Sequence, residues 1–216
     1  MENLPLVVAI IIAANVIISI KGFNDPNFFN KYKFNIGAIQ RGENIRFISS
    51  AFLHGDFSHL LFNMLTFYFF APVVLMQLGT TRLLILYIVS LITGNLLSYY
   101  FHRNEYQYSA IGASGAVMGV LYSFILFYPD MSLFLFFIPI PIPAWIFGVA
   151  YLLYSIYGMR TRMGNIGHDA HIGGAIGGYL LTLLFAPALI THSLWVVILL
   201  AIPLIILFIL HKLGKL

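Results

Sequence analysis

Seven apolar segments follow one another along this 216-residue chain. A helix needs about 17 to 25 apolar residues to cross roughly 30 Å of hydrocarbon. Hydrophobic residues make up 61% of the sequence and charged residues only 8%, which is too little polar surface for a water-soluble globule of this length. The sequence therefore predicts a helical membrane protein. The predicted spans are residues 4–20, 57–78, 82–101, 113–128, 141–158, 169–186 and 194–210.

The sequence gives no sign of a division into domains. It contains no cysteine, no repeat and no long flexible linker, so we expect one polytopic membrane domain over residues 1–216. The first span lacks a basic leader and a following cleavage site, so we interpret it as a retained helix. The span at 113–128 is short for a full crossing, which predicts that it begins below the membrane surface.

Polar side chains within the spans gather at three helix starts. Such residues are costly in hydrocarbon, so each of them needs a partner or a function. They lie at the start of the second, the fourth and the sixth span, close to one predicted membrane face. They are His54, His59 and Asn63 at the second span, Ser114 at the fourth, and His168, Asp169 and His171 at the sixth.

His59 and Asn63 are four residues apart, which places them on the same face of a helix. An imidazole N–H and an amide N–H directed at one point form a candidate oxyanion hole. The alternative is that each side chain bonds a neighbouring helix, as polar residues often do in membranes.

Ser114 lies at a predicted helix start, where the carbonyl one turn back is missing and free backbone N–H groups favour negative charge. A serine there can become an alkoxide more readily, and His171 lies at a matching helix start. The alternative is an ordinary serine that bonds its own helix backbone.

Two pairs of glycines adjoin this serine and this histidine. Gly115 and Gly119 follow the serine, and Gly174 and Gly178 follow the histidine, each pair at a spacing of four. Helices with this pattern can approach until their backbones touch, which would bring the serine and the histidine together. The alternative is that the glycines only pack the helices.

These motifs resemble those of the rhomboid intramembrane serine proteases. The resemblance extends from Arg46 to about Gly178, and it implies an all-α membrane protein. A six-helix transmembrane core over about residues 4–187 is implied, with one additional C-terminal helix over about 194–210. The motifs are His54-x₄-His59-x₃-Asn63, then Gly112-Ala113-Ser114-Gly115, then Ala170-His171-Ile172-Gly173-Gly174 with Gly178.

The resemblance also implies a role for each motif residue. Ser114 corresponds to the catalytic nucleophile and His171 to its general base, in a dyad without a carboxylate. His59 and Asn63, with the Ser114 backbone N–H, correspond to the oxyanion hole, and Gly112 to the glycine before the nucleophile. The structural residues expected near the site are His54, Gly115, Met118, Gly174 and Gly178.

The chain departs from the family pattern at two positions. Ile45 stands where the family places a tryptophan before the arginine that Arg46 matches. Met118 stands where many members place a tyrosine that supports the base, and a thioether can fill that space. Phe62 resembles a residue of the substrate gate, with an ordinary lipid-facing phenylalanine as the alternative.

The remaining ionisable residues have simpler interpretations. Asp169 precedes His171 by two positions, on the opposite side of a helix, so we expect it to cap the helix and not to complete a triad. His168 with His54 and His59 suggests a metal site only weakly, because no HExxH motif is present. We expect no metal and no cofactor. The histidines expected at the membrane interface are His102, His192 and His211.

The predicted function is therefore intramembrane serine endopeptidase activity on transmembrane protein substrates, which would enter laterally past the second and fifth spans. The predicted partners are these substrates and the lipid bilayer, with no nucleic acid. One alternative is a catalytically inactive rhomboid-like protein that binds transmembrane segments. Another is a small transporter, although its polar groups would then extend through the full depth of the bilayer.

The membrane orientation is predicted differently by charge and by family resemblance. With seven spans, ten of the eleven Lys and Arg residues lie on the side of the polar cluster, which the positive-inside rule places in the cytoplasm. The resemblance implies a bacterial cytoplasmic membrane with the active site open to the extracytoplasmic side. We follow the resemblance, because a folded first loop embedded in the membrane weakens the charge count.

Overall fold

The computed structural model describes residues 4–135, 138–164 and 166–216, and most of them are helical. A 3-10 turn (Ser50–Phe52) precedes the second long helix. The other elements, in chain order, are α1 (Leu6–Asn24), α2 (Pro26–Tyr32), β1 (Phe34–Asn35), α3 (Ile36–Gln40), α4 (Arg46–Ser49), α5 (Phe57–Leu78), α6 (Thr80–His102), β2 (Ser109–Ala110), α7 (Ser114–Phe127), β3 (Ser132–Leu135), β4 (Ile138–Pro143), α8 (Ala144–Thr161), α9 (His168–Phe185), α10 (Leu189–His192) and α11 (Leu194–Lys212).

A long helix occupies each predicted span, with ends that differ from the prediction by a few residues. Among the described residues, four of these helices are long and apolar enough to cross a membrane by length and composition: α1, α5, α6 and α11. Helix α7 is apolar but has only 14 residues. It therefore does not match the length of a complete bilayer crossing.

The mostly helical structure agrees with the predicted helical membrane fold, and the connections add short strands that were not predicted. β1 pairs antiparallel with β2, which joins the first loop to the loop before α7. β3 pairs antiparallel with β4. The sequence of β4, IPIPIP, favours an extended backbone because proline lacks a backbone N–H and restricts the residue before it.

Helices α6, α7 and α9 form the centre of the bundle. Every residue of α7 from Gly115 to Leu126 is buried, as expected for a helix that is apolar all round and is surrounded by others. A Cβ added to Gly174 would overlap the carbonyl oxygen of Gly115, and one added to Gly178 would overlap that of Gly119. The backbones of α7 and α9 therefore touch, which only glycine permits.

The first loop is folded around Arg46, whose side chain is only 8% exposed. Its guanidinium donates to Glu43 Oε2 at 2.8 Å and to the carbonyl oxygens of Asn30 and Lys33 at 2.9 and 2.7 Å. Ile45, in the position of the family's tryptophan, is 59% exposed and makes no such clamp. Three chain segments of the loop are thus held by one arginine.

Helix α11 packs against α8 and α9. Tyr179 Oη donates to the carbonyl oxygen of Val197 at 2.9 Å, which ties α9 to α11. Trp145 and Trp195 meet edge to face at 6.0 Å between ring centroids, which ties α8 to α11. The additional C-terminal helix is therefore packed against the bundle through both polar and aromatic contacts.

Candidate active site

Ser114 is the first residue of α7 and faces a cavity of about 870 Å³ between the helix starts. The first N–H groups of an α-helix have no intrahelical acceptor, so free donors lie at the end of α7 where Ser114 begins it. The predicted site residues that line this cavity are His59, Asn63, Gly112, Ser114, Gly115, Met118 and His171. The predicted residues His54, Gly174 and Gly178 contact the backbone next to the cavity. His54 accepts the N–H of Ala113, and the two glycines touch the backbone of α7.

Gly112 has a backbone conformation that requires glycine. Its φ is +116°, and a Cβ at this position would lie 2.8 Å from the His59 ring. Its N–H donates to the carbonyl oxygen of Ser50 at 3.0 Å, which fixes the loop before Ser114 to the first loop. Gly112 therefore allows the turn before Ser114 and leaves room for the His59 ring.

His54 holds the same loop from the other side. Ser19 Oγ donates to the Phe52 carbonyl at 2.9 Å, so at 2.8 Å it accepts a hydrogen bond from His54 Nδ1–H. His54 Nε2 is then free to accept the Ala113 N–H at 3.4 Å. Burial lowers the pKa of His54 to about 3, which keeps this ring neutral.

His59 and Asn63 lie on one face of α5, as predicted. The His59 ring meets the His54 ring edge to face at 4.9 Å, and its backbone N–H is capped by Asp56 Oδ1 at 2.8 Å. Asn63 Nδ2 donates one hydrogen to the His59 carbonyl at 2.9 Å. An amide nitrogen carries two hydrogens, so the second hydrogen remains available to an acceptor in the cavity.

His171 lies in the first turn of α9 and is bonded to a residue that the sequence did not single out. Its Nδ1 lies 2.7 Å from Tyr151 Oη of α8. Ser114 and His171, both in the described part of the chain, are not hydrogen-bonded to each other. The glycine contacts between α7 and α9 nevertheless bring both helix starts to one cavity.

Tyr151 was missed because a tyrosine in an apolar helix is usually a packing residue. Nothing at positions near 151 marks it, and helix periodicity alone cannot show which neighbouring helix its hydroxyl reaches. The one available signal was Met118, because the resemblance implies a tyrosine there beside the histidine, and its absence favours a different neighbour for His171.

Asp169 does not cap α9, and this prediction is wrong. The residue before the helix is Gly167, and Asp169 lies in the first turn with its carboxylate directed at another chain segment. That carboxylate lies 3.5 Å from Tyr108 Oη and 3.5 Å from His102 Nε2. Burial and the Asp169 charge both raise the pKa of Tyr108. Asp169 thus joins the start of α9 to the loop before α7.

Two of the histidines predicted at the membrane interface also have specific partners. The His102 ring stacks on Tyr108 at 3.6 Å, and its Nδ1 lies 3.1 Å from Glu105 Oε2. His211 Nε2 lies 2.8 Å from Tyr100 Oη, which joins α11 to α6. These rings therefore connect chain segments in addition to lying near helix ends.

His168 is buried beside Tyr154, and its Nε2 lies 3.3 Å from the Met163 carbonyl. Over residues 4–135, 138–164 and 166–216, no group of three or more His, Cys, Asp or Glu side chains is arranged to hold a metal ion.

A family model described as the Rhomboid domain matches residues 41–188 of the chain. The putative rhomboid protease YdcA of Bacillus subtilis is 33% identical over 153 residues, which cover 70% of this chain and 71% of that protein. Rhomboid protein 1, mitochondrial, of Saccharomyces cerevisiae is 35% identical over 139 residues, or 63% of this chain and 40% of that protein.

RHOMBOID-like protein 12, mitochondrial, of Arabidopsis thaliana is 28% identical over 191 residues, or 81% of this chain. The chain spans 40% and 56% of the lengths of the yeast and Arabidopsis proteins. Because these two relatives are named as mitochondrial, the prediction of a bacterial cytoplasmic membrane has no support, whereas a multi-pass membrane protein does. The family model covers more than half of the sequence, and the chain belongs to the rhomboid family.

Proposed function

We propose that this protein is an intramembrane serine endopeptidase that cleaves transmembrane segments with a Ser114–His171 dyad. The observation that carries the proposal is the contact between the glycines of α7 and α9, which brings a serine and a histidine at two helix starts to one cavity. His59 and Asn63 line the same cavity, so donors for an oxyanion accompany the pair. Relatives named as rhomboid proteases support the same activity.

The proposed reaction is hydrolysis through an acyl-enzyme. His171 Nδ1 is engaged by Tyr151, so Nε2 is the ring nitrogen that takes the proton of Ser114. Ser114 Oγ then attacks the scissile carbonyl, and the backbone N–H groups, His59 and Asn63 stabilise the oxyanion. His171 returns the proton to the leaving amine, and water releases the acyl group by the same steps in reverse order.

The substrate must bring Ser114 and His171 closer together than they are in this structure. Catalytic hydrogen bonds in unliganded enzymes are often long and shorten when substrate binds. A transmembrane helix also has no exposed peptide bond, so it must unwind before Ser114 can attack it. Glycine or proline near the cleaved bond lowers the free energy of unwinding, so we expect such segments to be preferred substrates.

We also propose lateral entry between α5 and α8. Thr66 of α5 and Phe147 of α8 line the cavity from these two helices. The opposite side of the cavity is formed by α7 and α9, whose backbones touch and leave no passage for a second helix.

One observation favours a catalytically inactive protein that binds transmembrane segments: Ser114 and His171 are both described and are not hydrogen-bonded. The two functions differ in whether Ser114 is reactive. A fluorophosphonate reacts only with an activated serine, so labelling of Ser114 would exclude the inactive alternative.

The decisive experiment compares cleavage of a model transmembrane substrate by the purified wild type and by Ser114→Ala and His171→Ala in lipid. We expect cleavage by the wild type alone. Ser123→Ala is the matched control, because this buried serine of α7 has no hydrogen-bond partner among the described residues. Cleavage by Ser114→Ala at the wild-type rate would overturn the dyad, and a wild type that binds the substrate without cleaving it would favour the inactive alternative.

The active site and the C-terminus are proposed to face the same side of the membrane. With seven crossings, α7 and α9 begin on the side on which α11 ends. A reporter of compartment fused after Leu216 should therefore report the side to which the cavity opens. A reporter on the opposite side would exclude seven crossings.

A further inference from the structure

We propose that Tyr151 is a positioning residue for the base, which selects the ring tautomer of His171 that can deprotonate Ser114. The inference rests on the proposed function. It assigns a role to a side chain of α8 that no motif in the sequence includes.

The geometry places the Tyr151 hydroxyl on one specific ring nitrogen. Tyr151 Oη and His171 Nδ1 are 2.7 Å apart, and the two rings are 5.9 Å apart and tilted by 31°. Phe147, one turn earlier on α8, stacks on the Tyr151 ring at 5.6 Å. The phenol is therefore held in place by its own helix while its oxygen meets the base.

This hydrogen bond decides which nitrogen carries the proton. If Nδ1–H donates to Tyr151 Oη, then Nε2 is unprotonated and can accept the proton of Ser114. If the tyrosine donates to Nδ1, then Nε2 carries the hydrogen and cannot act as a base. The proposed activity therefore needs Tyr151 as acceptor, in the place that a carboxylate has in a catalytic triad.

An accepting tyrosine needs another acceptor for its own hydrogen, and α8 supplies one. Ser155 lies one turn beyond Tyr151 on the same face of the helix. Its hydroxyl is buried and has no hydrogen-bond partner within normal distance among the described residues, yet it faces the Tyr151 phenol. A hydrogen bond from Tyr151 to Ser155 would satisfy both groups and leave the phenol oxygen free to accept from His171.

No other described group offers the same support to His171. Met118 of α7 lines the cavity with a thioether, which is a weak acceptor. The His168 ring is 6.5 Å away and is engaged with Met163. When His171 gains a proton from Ser114, the oxygen of Tyr151 is therefore the acceptor that stabilises the cation.

The first test compares Tyr151→Phe with Tyr154→Phe. Both remove one hydroxyl from α8, but Tyr154 contacts His168 and not His171. For Tyr151→Phe we expect kcat to fall about 10- to 100-fold, the loss typical when a group that orients a histidine is removed. KM should not change, and Tyr154→Phe should match the wild type. A kcat of Tyr151→Phe within twofold of the wild type would overturn the proposal.

The pH profile separates positioning from packing. Without the tyrosine oxygen, the protonated ring is less stable, so the acidic limb of kcat/KM should move to lower pH in Tyr151→Phe. The titratable groups that face His171 are His59 from α5, His168 from α9 and Tyr151 from α8. A packing defect would lower the rate at every pH and leave the position of the limb unchanged.

A readout independent of cleavage is ¹⁵N NMR of the histidine rings in detergent, with His171 assigned by comparison with His171→Gln. We expect Nδ1–H in the wild type and loss of this preference in Tyr151→Phe. An Nε2–H ring in the wild type, or an unchanged tautomer in Tyr151→Phe, would overturn the proposal even if no substrate is cleaved. Absence of Ser114-dependent cleavage with the expected tautomers would instead contradict the proposed function.

Discussion

The two sides of the cavity are built in opposite ways. On one side, α7 and α9 meet at glycines whose backbone atoms are in contact, and α6 packs against both. On the other side, α5 and α8 face the cavity with larger side chains, including Thr66, Phe147 and Tyr151. The first side has no room for one added carbon, whereas the second encloses the space in which a substrate can lie.

This difference suggests that one side of the cavity fixes the helices and that the other side can change shape. Backbone contacts do not rotate or change rotamer, so they can hold the serine and the histidine at fixed helix starts. Side-chain contacts can be rearranged at lower cost, which suits the side that we propose for the entry of a substrate helix. We expect substitutions on the two sides to fail in different ways, by loss of folding on the glycine side and by loss of substrate cleavage on the other.

The largest effect is expected where the backbones touch. In Gly174→Ala the added carbon would overlap the Gly115 carbonyl, and backbone atoms cannot move aside without separating α7 from α9. We expect a destabilisation of about 2–3 kcal/mol, measured by thermal unfolding in detergent. In the control Gly167→Ala, the added carbon would lie 3.6 Å from the nearest atom. Equal melting temperatures for the two variants would show that the contact is not close-packed.

The next effect concerns the side of the cavity that is formed by α5 and α8. The chain has no cysteine, so cysteines placed at Thr66 and Phe147 are the only thiols available to a bifunctional cross-linker. Joining α5 to α8 should reduce cleavage of a transmembrane substrate to background if the substrate enters between them, as proposed. Fluorophosphonate labelling of Ser114 should persist, since a small molecule needs no such passage. Full cleavage by the cross-linked protein, with each single cysteine variant as control, would exclude entry at this side.

The smallest effect concerns the loop before α5, where His54 accepts the N–H of Ala113 just before α7. Burial lowers the pKa of His54 from 6.5 to about 3, so the folded protein resists protonation that the unfolded chain accepts. The stability that depends on neutral His54 is complete above pH 6.5 and is lost as the pH falls, by at most about 2 kcal/mol between pH 6.5 and 5 at about 1.4 kcal/mol per pH unit. The melting temperature of the wild type should fall more steeply between pH 7 and 5 than that of His54→Asn. Parallel curves would show that His54 is not the group responsible.

Much of the helical framework was predictable from the sequence, because apolar length is a strong signal. The predicted span 57–78 coincides with α5, and the other spans differ from the observed helices only at their ends. The strand pairs were not predictable. Phe34 pairs with Ala110 across 76 positions of the sequence, and such a pairing depends on how the loops meet and not on local preference.

The location of the candidate site residues was predictable where residue type and spacing mark a helix start, as for Ser114, His171 and the glycines, whereas their catalytic roles stay predictions. It was not predictable where a side chain reaches another helix. Tyr151 and Asp169 are both defined by partners on distant segments, and their direction depends on helix rotation. Helical spacing placed Asp169 opposite His171, but it could not show that Tyr108 and His102 occupy that side.

The hydrogen bond from Gly112 to Ser50, together with the β1–β2 pairing, joins the first loop to the loop before Ser114. Aromatic rings and cations of that first loop are typical of residues that settle among lipid headgroups. We therefore expect the thickness and headgroup composition of the surrounding membrane to influence the position of Ser114 through this loop. Any cleavage rate measured in one detergent should then depend on that detergent as well as on the protein.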